Sequence, residues 1–382
     1  MTTKKAPRDG GTRRAPGARS APEKRPARKR APEAASAGLA ALFDAVRAAP
    51  NDDAPRRALA EGLEAAGDPW GEYLRLDCDL RGKLTPTARR DREARHGALK
   101  KQLLRALRRD LALGPNDKIR LRRGLVDAIR ISRFPQVQPV CTRLRGHPVR
   151  TVSIASAQIC EPQYYEGEDD LGPDFPRVSR VELAAAPERL AEWLSTTSVE
   201  NLTYKTGYYF GNPMYALPGW FERLMSGAFV SGLRTITVGG ELLGSEELSC
   251  LARLSTLSRL DSLRVKAGVE SEDVGLSSLL RSQKPADWIT ELDLSEYEVH
   301  SLADPTASAP EFEQATLRPR VLWVPADEPL VRGLAASPVL AAVRRLVLCG
   351  DAGGSRWASC VALLRAGGHL PADAEISPPD GP

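Results

Sequence analysis

The sequence predicts an α/β fold in which strand–helix units stack into a solenoid, preceded by a small helical domain and a disordered tail. Three observations support this prediction. The chain has 382 residues and is 42% hydrophobic, enough for a sizeable core. A frame of the form apolar-x-x-apolar-x-apolar recurs nine times, and segments with helical spacing follow most of these frames.

The N-terminal segment, residues 1–36, is predicted to be a disordered basic tail. It holds eleven Lys/Arg against three Asp/Glu and otherwise consists mostly of Ala, Pro and Gly. Such a composition cannot bury a core, and its like charges repel one another. One interpretation of the tail is an arm that binds the phosphates of nucleic acid. The other is a leader that only keeps the protein soluble.

Residues 37–82 are predicted to form a helical module of three helices. Leu39, Leu42, Phe43 and Val46 follow helical spacing, and Pro50 ends that helix. Residues 51–53 offer N-caps for a second helix over about 55–66, and a third helix begins near residue 70.

Three motifs stand in a fixed order in this module: Phe43-Asp44-Ala45-Val46, Pro50-Asn51-Asp52-Asp53-Ala54-Pro55-Arg56 and Gly67-Asp68-Pro69-Trp70-Gly71-Glu72-Tyr73-Leu74-Arg75-Leu76. Together they resemble the bacterial repeat-companion domain, a helical module found in front of repeat arrays that are often leucine-rich. The match covers about 45 residues. The chain departs from the family pattern at Gly62, where members carry tryptophan. The resemblance implies a repeat array downstream and carries over no catalytic residue.

Residues 83–123 are predicted to be a basic helical connector. Over 81–123 the chain holds fifteen Lys/Arg and four Asp/Glu. One helical face is apolar, formed by Leu99, Leu103, Leu104, Leu107 and Leu111. The charged remainder is interpreted either as a helix that docks on phosphates or as a solvated face. The absence of interleaved aromatic residues favours the solvated face.

Residues 124–370 are predicted to form a degenerate leucine-rich-repeat-like array. The last apolar positions of successive frames lie 21 to 34 residues apart, and leucine-rich repeats have periods of about 20–29 residues. The frames are Val126/Ile129/Ile131, Val149/Val152/Ile154, Val178/Val181/Leu183, Val199/Leu202/Tyr204, Leu233/Ile236/Val238, Leu260/Leu263/Val265, Ile289/Leu292/Leu294, Pro319/Leu322/Val324 and Val343/Leu346/Leu348. The Asn or Cys expected three residues after each frame is missing. An ordinary α/β domain with a parallel sheet is therefore the structural alternative.

The positions flanking each last apolar residue would face outward on such a sheet. They give the predicted binding residues Lys205, Thr237, Arg264, Lys266, Asp293, Ser295 and Trp323. Five of them, Lys205, Thr237, Arg264, Asp293 and Trp323, are predicted to form one row of roughly 20 Å, from a strand spacing of ~4.8 Å. Trp323 is either the anchor of an interface or a core residue.

An aromatic-rich segment, residues 204–221, holds seven of the chain's 21 aromatic residues. It is interpreted either as a recognition loop or as local core.

No nucleotide-binding, hydrolase or metalloprotease motif is present, so we expect a protein that is not an enzyme and that needs no cofactor or metal. Six scattered cysteines and the lack of a long apolar stretch predict a cytoplasmic protein with reduced thiols and no membrane span. Residues 371–382 are predicted to be a disordered tail. The function that follows is a scaffold that binds a protein partner through the array. The alternative is a nucleic-acid-associated protein that uses residues 1–36 and 81–123.

Overall fold

The computed structural model describes residues 33–114, 117–155, 184–205, 219–240, 245–267, 274–296 and 314–379. The chain is an α/β protein whose described part contains a sheet of ten strands arranged in chain order, β1 to β10. Strands β1 and β2 pair antiparallel, and the pairings from β2 through β10 are parallel. The predicted α/β class is confirmed.

Three helices open the described chain: α1 (Glu33–Ala48), α2 (Ala54–Ala65) and α3 (Pro69–Asp79). The Asp68 side chain caps α3 by accepting a hydrogen bond from the Trp70 amide at 2.9 Å. Gly71 lies where α3 crosses α2, since a Cβ there would lie 2.5 Å from the Glu64 nitrogen. A Cβ on Gly62 would lie 2.9 Å from Leu42 Cδ1, so α1 packs directly on α2 at this position.

The helical module is docked on the first strands of the sheet. The Trp70 indole N–H donates to the Gly124 carbonyl at 2.9 Å, and Arg47 donates to the Gly146 carbonyl at 3.1 Å. The His147 ring lies between Phe43 and Trp70, with ring centroids 5.3 and 5.4 Å away. The module and the sheet therefore share one packed interface.

Helix α4 (Pro86–Asp110) joins the module to the sheet. Leu99 and Leu103 are buried in one cluster with Tyr73 and Leu76 of α3. Four leucines of the predicted apolar face are buried, and Leu104 is only partly buried. Two strands follow, β1 (Ile119–Arg122) and β2 (Leu125–Ile131). The predicted boundary between connector and array at 123/124 is therefore wrong, because it falls in the turn of a hairpin whose first strand already belongs to the sheet.

The predicted frames lie in the strands β2, β3 (Thr151–Ala155), β4 (Asn201–Lys205), β5 (Thr235–Gly240), β6 (Leu260–Ala267), β7 (Ile289–Asp293), β8 (Val321–Pro325) and β9 (Arg345–Cys349), or begin just before them. Their last two apolar residues, such as Leu263 with Val265 and Leu346 with Leu348, are buried in one continuous core. The third frame, Val178/Val181/Leu183, lies outside the described residues. Strand β3 pairs directly with β4, so no strand stands between the second and fourth frames in the sheet.

Helices follow the strands and cover one face of the sheet. They are α5 (Val137–Arg143), α6 (Ala186–Ser195), α7 (Trp220–Leu224), α8 (Ser245–Arg253), α9 (Val274–Leu280), α10 (Glu328–Ala335) and α11 (Ser355–Ala366). Their apolar residues, for example Leu190, Leu251 and Leu334, belong to the same core as the inward-facing strand residues.

The prediction that residues 371–382 form a disordered tail is wrong for the described residues up to 379. Strand β10 (Glu375–Ser377) pairs parallel with β9, and Ala374 is buried. The Arg365 guanidinium also donates to the Ala374 carbonyl at 2.9 Å. The backbone of this segment pairs with β9, and its low hydrophobic content did not indicate a strand.

Candidate interaction site on the exposed sheet face

The sheet face opposite the helices is called the exposed sheet face below. Strands β3 and β4 alternate between buried and partly exposed residues, as in Val152 against Ser153 and Leu202 against Thr203. Trp323, which is partly exposed, and Val347, which is fully buried, do not belong to the core that the helices share, although Leu322, Leu346 and Leu348 do. The outward-facing residues thus form a separate surface.

One row of outward residues is in register across the sheet from β2 to β10. The row consists of Arg130, Ser153, Thr203, Thr237, Arg264, Asp293, Trp323, Val347 and Ser377. With ~4.8 Å between strands, the row spans roughly 38 Å. Four of the five residues predicted to form a row belong to it.

The predicted position of Lys205 in this row is wrong. The register places Thr203 beside Thr237, whereas Lys205 lies beside Gly239, which is followed by Lys266 on β6. On β4, two outward residues follow the inward Leu202: Thr203 and then Lys205. The prediction placed Lys205 in the row, whereas the register places Thr203 there.

Arg264, Asp293 and Ser295 form one hydrogen-bonded group. Asp293 Oδ1 accepts from the Ser295 amide at 2.9 Å and from its hydroxyl at 2.6 Å, and Oδ2 accepts from Arg264 Nε. The Asp293 side chain is only 1% exposed, and the Arg264 side chain is 46% exposed. The prediction of Asp293 as a contact residue is therefore wrong: it holds Arg264 in place, and Arg264 faces solvent.

Lys266 lies two residues after Arg264 and pairs with Glu296, a residue that the sequence reasoning missed. A Cβ on Gly239 would lie 2.8 Å from Lys266 Cβ, so the absence of a side chain at Gly239 gives Lys266 its room. Glu296 could not be identified because it follows β7 and meets Lys266 only through the strand pairing.

Trp323 lies on the exposed sheet face between Asp293 and Val347 and is partly exposed. Its indole N–H is buried and has no acceptor among the described residues. A buried donor without a partner costs about 1–3 kcal/mol.

Cys349 lies beside Pro325 on the same face. Burial raises the pKa of the Cys349 thiol, the charge of Asp293 adds to this effect, and Arg264 opposes it. The thiol is therefore a poor nucleophile at neutral pH.

The aromatic-rich segment 204–221 contributes to the core at both of its ends. Tyr204, Trp220 and Phe221 are buried, and the Tyr204 ring lies 6.0 Å from Trp220 and 4.6 Å from Phe221. Residues 206–218, which carry the remaining aromatic residues, lie outside the described residues.

Several arginines of the basic segment 81–123 are engaged within the fold. Arg95 makes two hydrogen bonds of 2.8 Å to Glu72, Arg92 lies 3.6 Å from Asp79, and Arg108 donates to the carbonyls of Gly114 and Asp117. Lys100, Lys101 and Arg105 remain exposed on α4. Residues 1–32 of the basic tail lie outside the described residues.

Within the described ranges, no three or more His, Cys, Asp or Glu side chains come together as a group able to hold a metal ion. Nor does any helix in those ranges have the length and apolar content needed to cross a membrane. No family model, curated protein or solved structure matches this chain.

Proposed function

We propose that this protein is a non-enzymatic scaffold that binds a protein partner through the exposed sheet face of a degenerate leucine-rich-repeat solenoid. Parallel strands in chain order, with a helical layer on one face, support the solenoid assignment. In this proposal the helical module docked on the first strands is the module that resembles the repeat-companion domain. The cysteines of the described residues are free thiols, which supports a cytoplasmic location. They are Cys78, Cys141, Cys250, Cys349 and Cys360.

The observation that carries the proposal is the in-register polar row with Trp323 near one end. Arg264 is held by Asp293 and exposes its guanidinium, so its position is fixed before a partner arrives. Trp323 adds partly exposed apolar area. Arginine and tryptophan are the residues that most often dominate binding energy at interfaces.

An extended segment of a partner fits this surface best. Such a segment lies across the strands, packs on the exposed part of the Trp323 ring and presents a carboxylate to Arg264. The charges set the orientation of the partner more than its affinity. Lys266, paired with Glu296, contributes a second charged position beside the row.

The test is quantitative co-purification with the full chain from its native cells. Trp323→Ala should weaken capture of a specific protein by roughly 30-fold, the equivalent of ~2 kcal/mol, while the thermal midpoint stays unchanged. Arg332→Ala is the matched control, because Arg332 is exposed on α10, in the helical layer. If both variants retain every captured protein, or if Trp323→Ala loses stability instead, the proposal fails.

The alternative of nucleic-acid association through residues 1–36 and 81–123 predicts a different dependence on salt. Phosphate contacts weaken steeply as salt rises, whereas a packed protein interface changes little. The internal contacts of Arg92, Arg95 and Arg108 leave α4 fewer cations for phosphates. Capture that disappears with rising salt and survives Trp323→Ala would support the alternative.

A further inference from the structure

A second site lies where the helical module meets the sheet, between the loop before α2, the β1–β2 hairpin and the start of β3. It is a small cleft that opens to solvent. Its ionisable lining residues are four arginines, Arg56, Arg122, Arg123 and Arg150, and one carboxylate, Asp127, giving a net charge of +3. It is called the arginine cleft below.

The carboxylate of the arginine cleft is already fully engaged. Asp127 Oδ2 accepts from Arg120 at 2.7 and 3.0 Å, and Oδ1 accepts from Arg150 Nε at 2.9 Å. Its side chain is 5% exposed. Asp127 therefore organises two guanidiniums and leaves the charges of Arg56 and Arg122 uncompensated.

Arg56 is a buried cation without a carboxylate contact in the part of the chain that the structure describes. It is 3% exposed and donates to the carbonyls of Asp52 at 2.9 Å and Arg123 at 3.3 Å. Burial, followed by the charges of Arg123 and Arg81, lowers the pKa of the Arg56 guanidinium. A charge buried in this way is costly unless a counter-ion reaches it.

The β1–β2 hairpin presents the other two cations. Arg123 has a positive φ of 48°, which is strained for a residue other than glycine. It donates to Asp53 at 2.6 Å and to the Pro50 carbonyl at 3.2 Å, while its Nε is buried without an acceptor among the described residues. Arg122 pairs with Leu125 through the strand ladder, while its exposed side chain makes no hydrogen bond or ion pair to any described residue.

We propose that the arginine cleft binds a phosphate dianion, either free phosphate or the phosphate monoester of a phosphorylated side chain. Guanidinium groups match the oxygens of phosphate in pairs, and here they come from separate segments that surround one small space. A dianion balances a net charge of +3 better than a single carboxylate does. The site is separate from the exposed sheet face and does not depend on the proposed scaffold function.

The test measures binding to the full chain by isothermal titration calorimetry at constant ionic strength. Inorganic phosphate is one probe, and a phosphoserine peptide with its unphosphorylated twin forms a second arm. Arg122→Gln should weaken phosphate binding by about tenfold or more, because one charge-assisted contact is lost. Arg90→Gln is the control, since Arg90 is exposed on α4 outside the cleft, and binding should not change.

The Arg122 side chain makes no hydrogen bond or ion pair to any described residue, so its replacement should leave the thermal midpoint without ligand unchanged. Tighter binding of the phosphoserine peptide than of phosphate identifies a phosphorylated protein as the source, and binding of phosphate alone identifies the free anion. No binding of either probe overturns the proposal. So does equal weakening by the two variants.

Discussion

His147→Gln should flatten the dependence of stability on pH below neutrality. His147 is 8% exposed in the interface between the helical module and the sheet, and burial lowers the pKa of its imidazole to about 4. An unfolded chain binds the proton near pH 6.5. Between these values the unfolded state holds more protons, so stability is complete above pH 6.5 and falls as the pH drops towards 4.

The magnitude follows from the two pKa values. At pH 5, protonation of His147 in the unfolded chain lowers the unfolding free energy by about 2 kcal/mol. The largest loss of unfolding free energy, reached at lower pH, is ~3 kcal/mol. Protonation also conflicts with the local geometry, because His147 Nδ1 accepts a weak hydrogen bond of 3.4 Å from the Val126 amide. Glutamine retains an acceptor and does not titrate.

Equilibrium denaturation of the wild type and His147→Gln at a series of pH values from 7 to 4.5 measures this effect. The difference in unfolding free energy between the two proteins should change by ~2 kcal/mol from pH 7 to pH 5. His369→Gln, at an exposed histidine, should run parallel to the wild type. Parallel curves for all three proteins would refute the assignment of His147 as a buried neutral imidazole.

Two further predictions concern stability. Leu292→Ala should lower the unfolding free energy by about 2–5 kcal/mol, since Leu292 is fully buried in β7 and truncation leaves a cavity. The control Arg332→Ala should change the unfolding free energy by no more than ~0.5 kcal/mol. A similar effect from both variants would show that Leu292 is not a core residue. Deletion of residues 371–382 should lower the thermal midpoint by several degrees, because β9 loses its partner strand β10 and Ala374 leaves the core. An unchanged midpoint would mean that this segment contributes no stability.

The parallel strands of the sheet were predictable because their signal is repeated and local. Leu263 and Val265, like Leu346 and Leu348, alternate inward along each strand, so period and burial appear directly in the sequence. Strand β10 has one apolar residue, Ile376, and is ordered by backbone hydrogen bonds that leave no pattern in residue type.

The candidate site was predictable in part, because alternation identifies outward residues and does not give their contacts. Trp323 and Arg264 lie on the exposed sheet face as expected, whereas the engagement of Asp293 depends on two hydrogen-bond partners. The arginine cleft could not be predicted. Its cations come from α2, the β1–β2 hairpin and the start of β3, which meet only once the module docks on the sheet.

Site-specific photo-crosslinking in cells tests the central claim most directly. A photoreactive amino acid in place of Thr237, on the exposed sheet face of β5, should give a discrete crosslinked protein, and Trp323→Ala in the same chain should abolish it. The same group in place of Arg332, on α10, should give none. An equal yield from both positions, or a Thr237 crosslink that persists with Trp323→Ala, would contradict partner binding through the exposed sheet face.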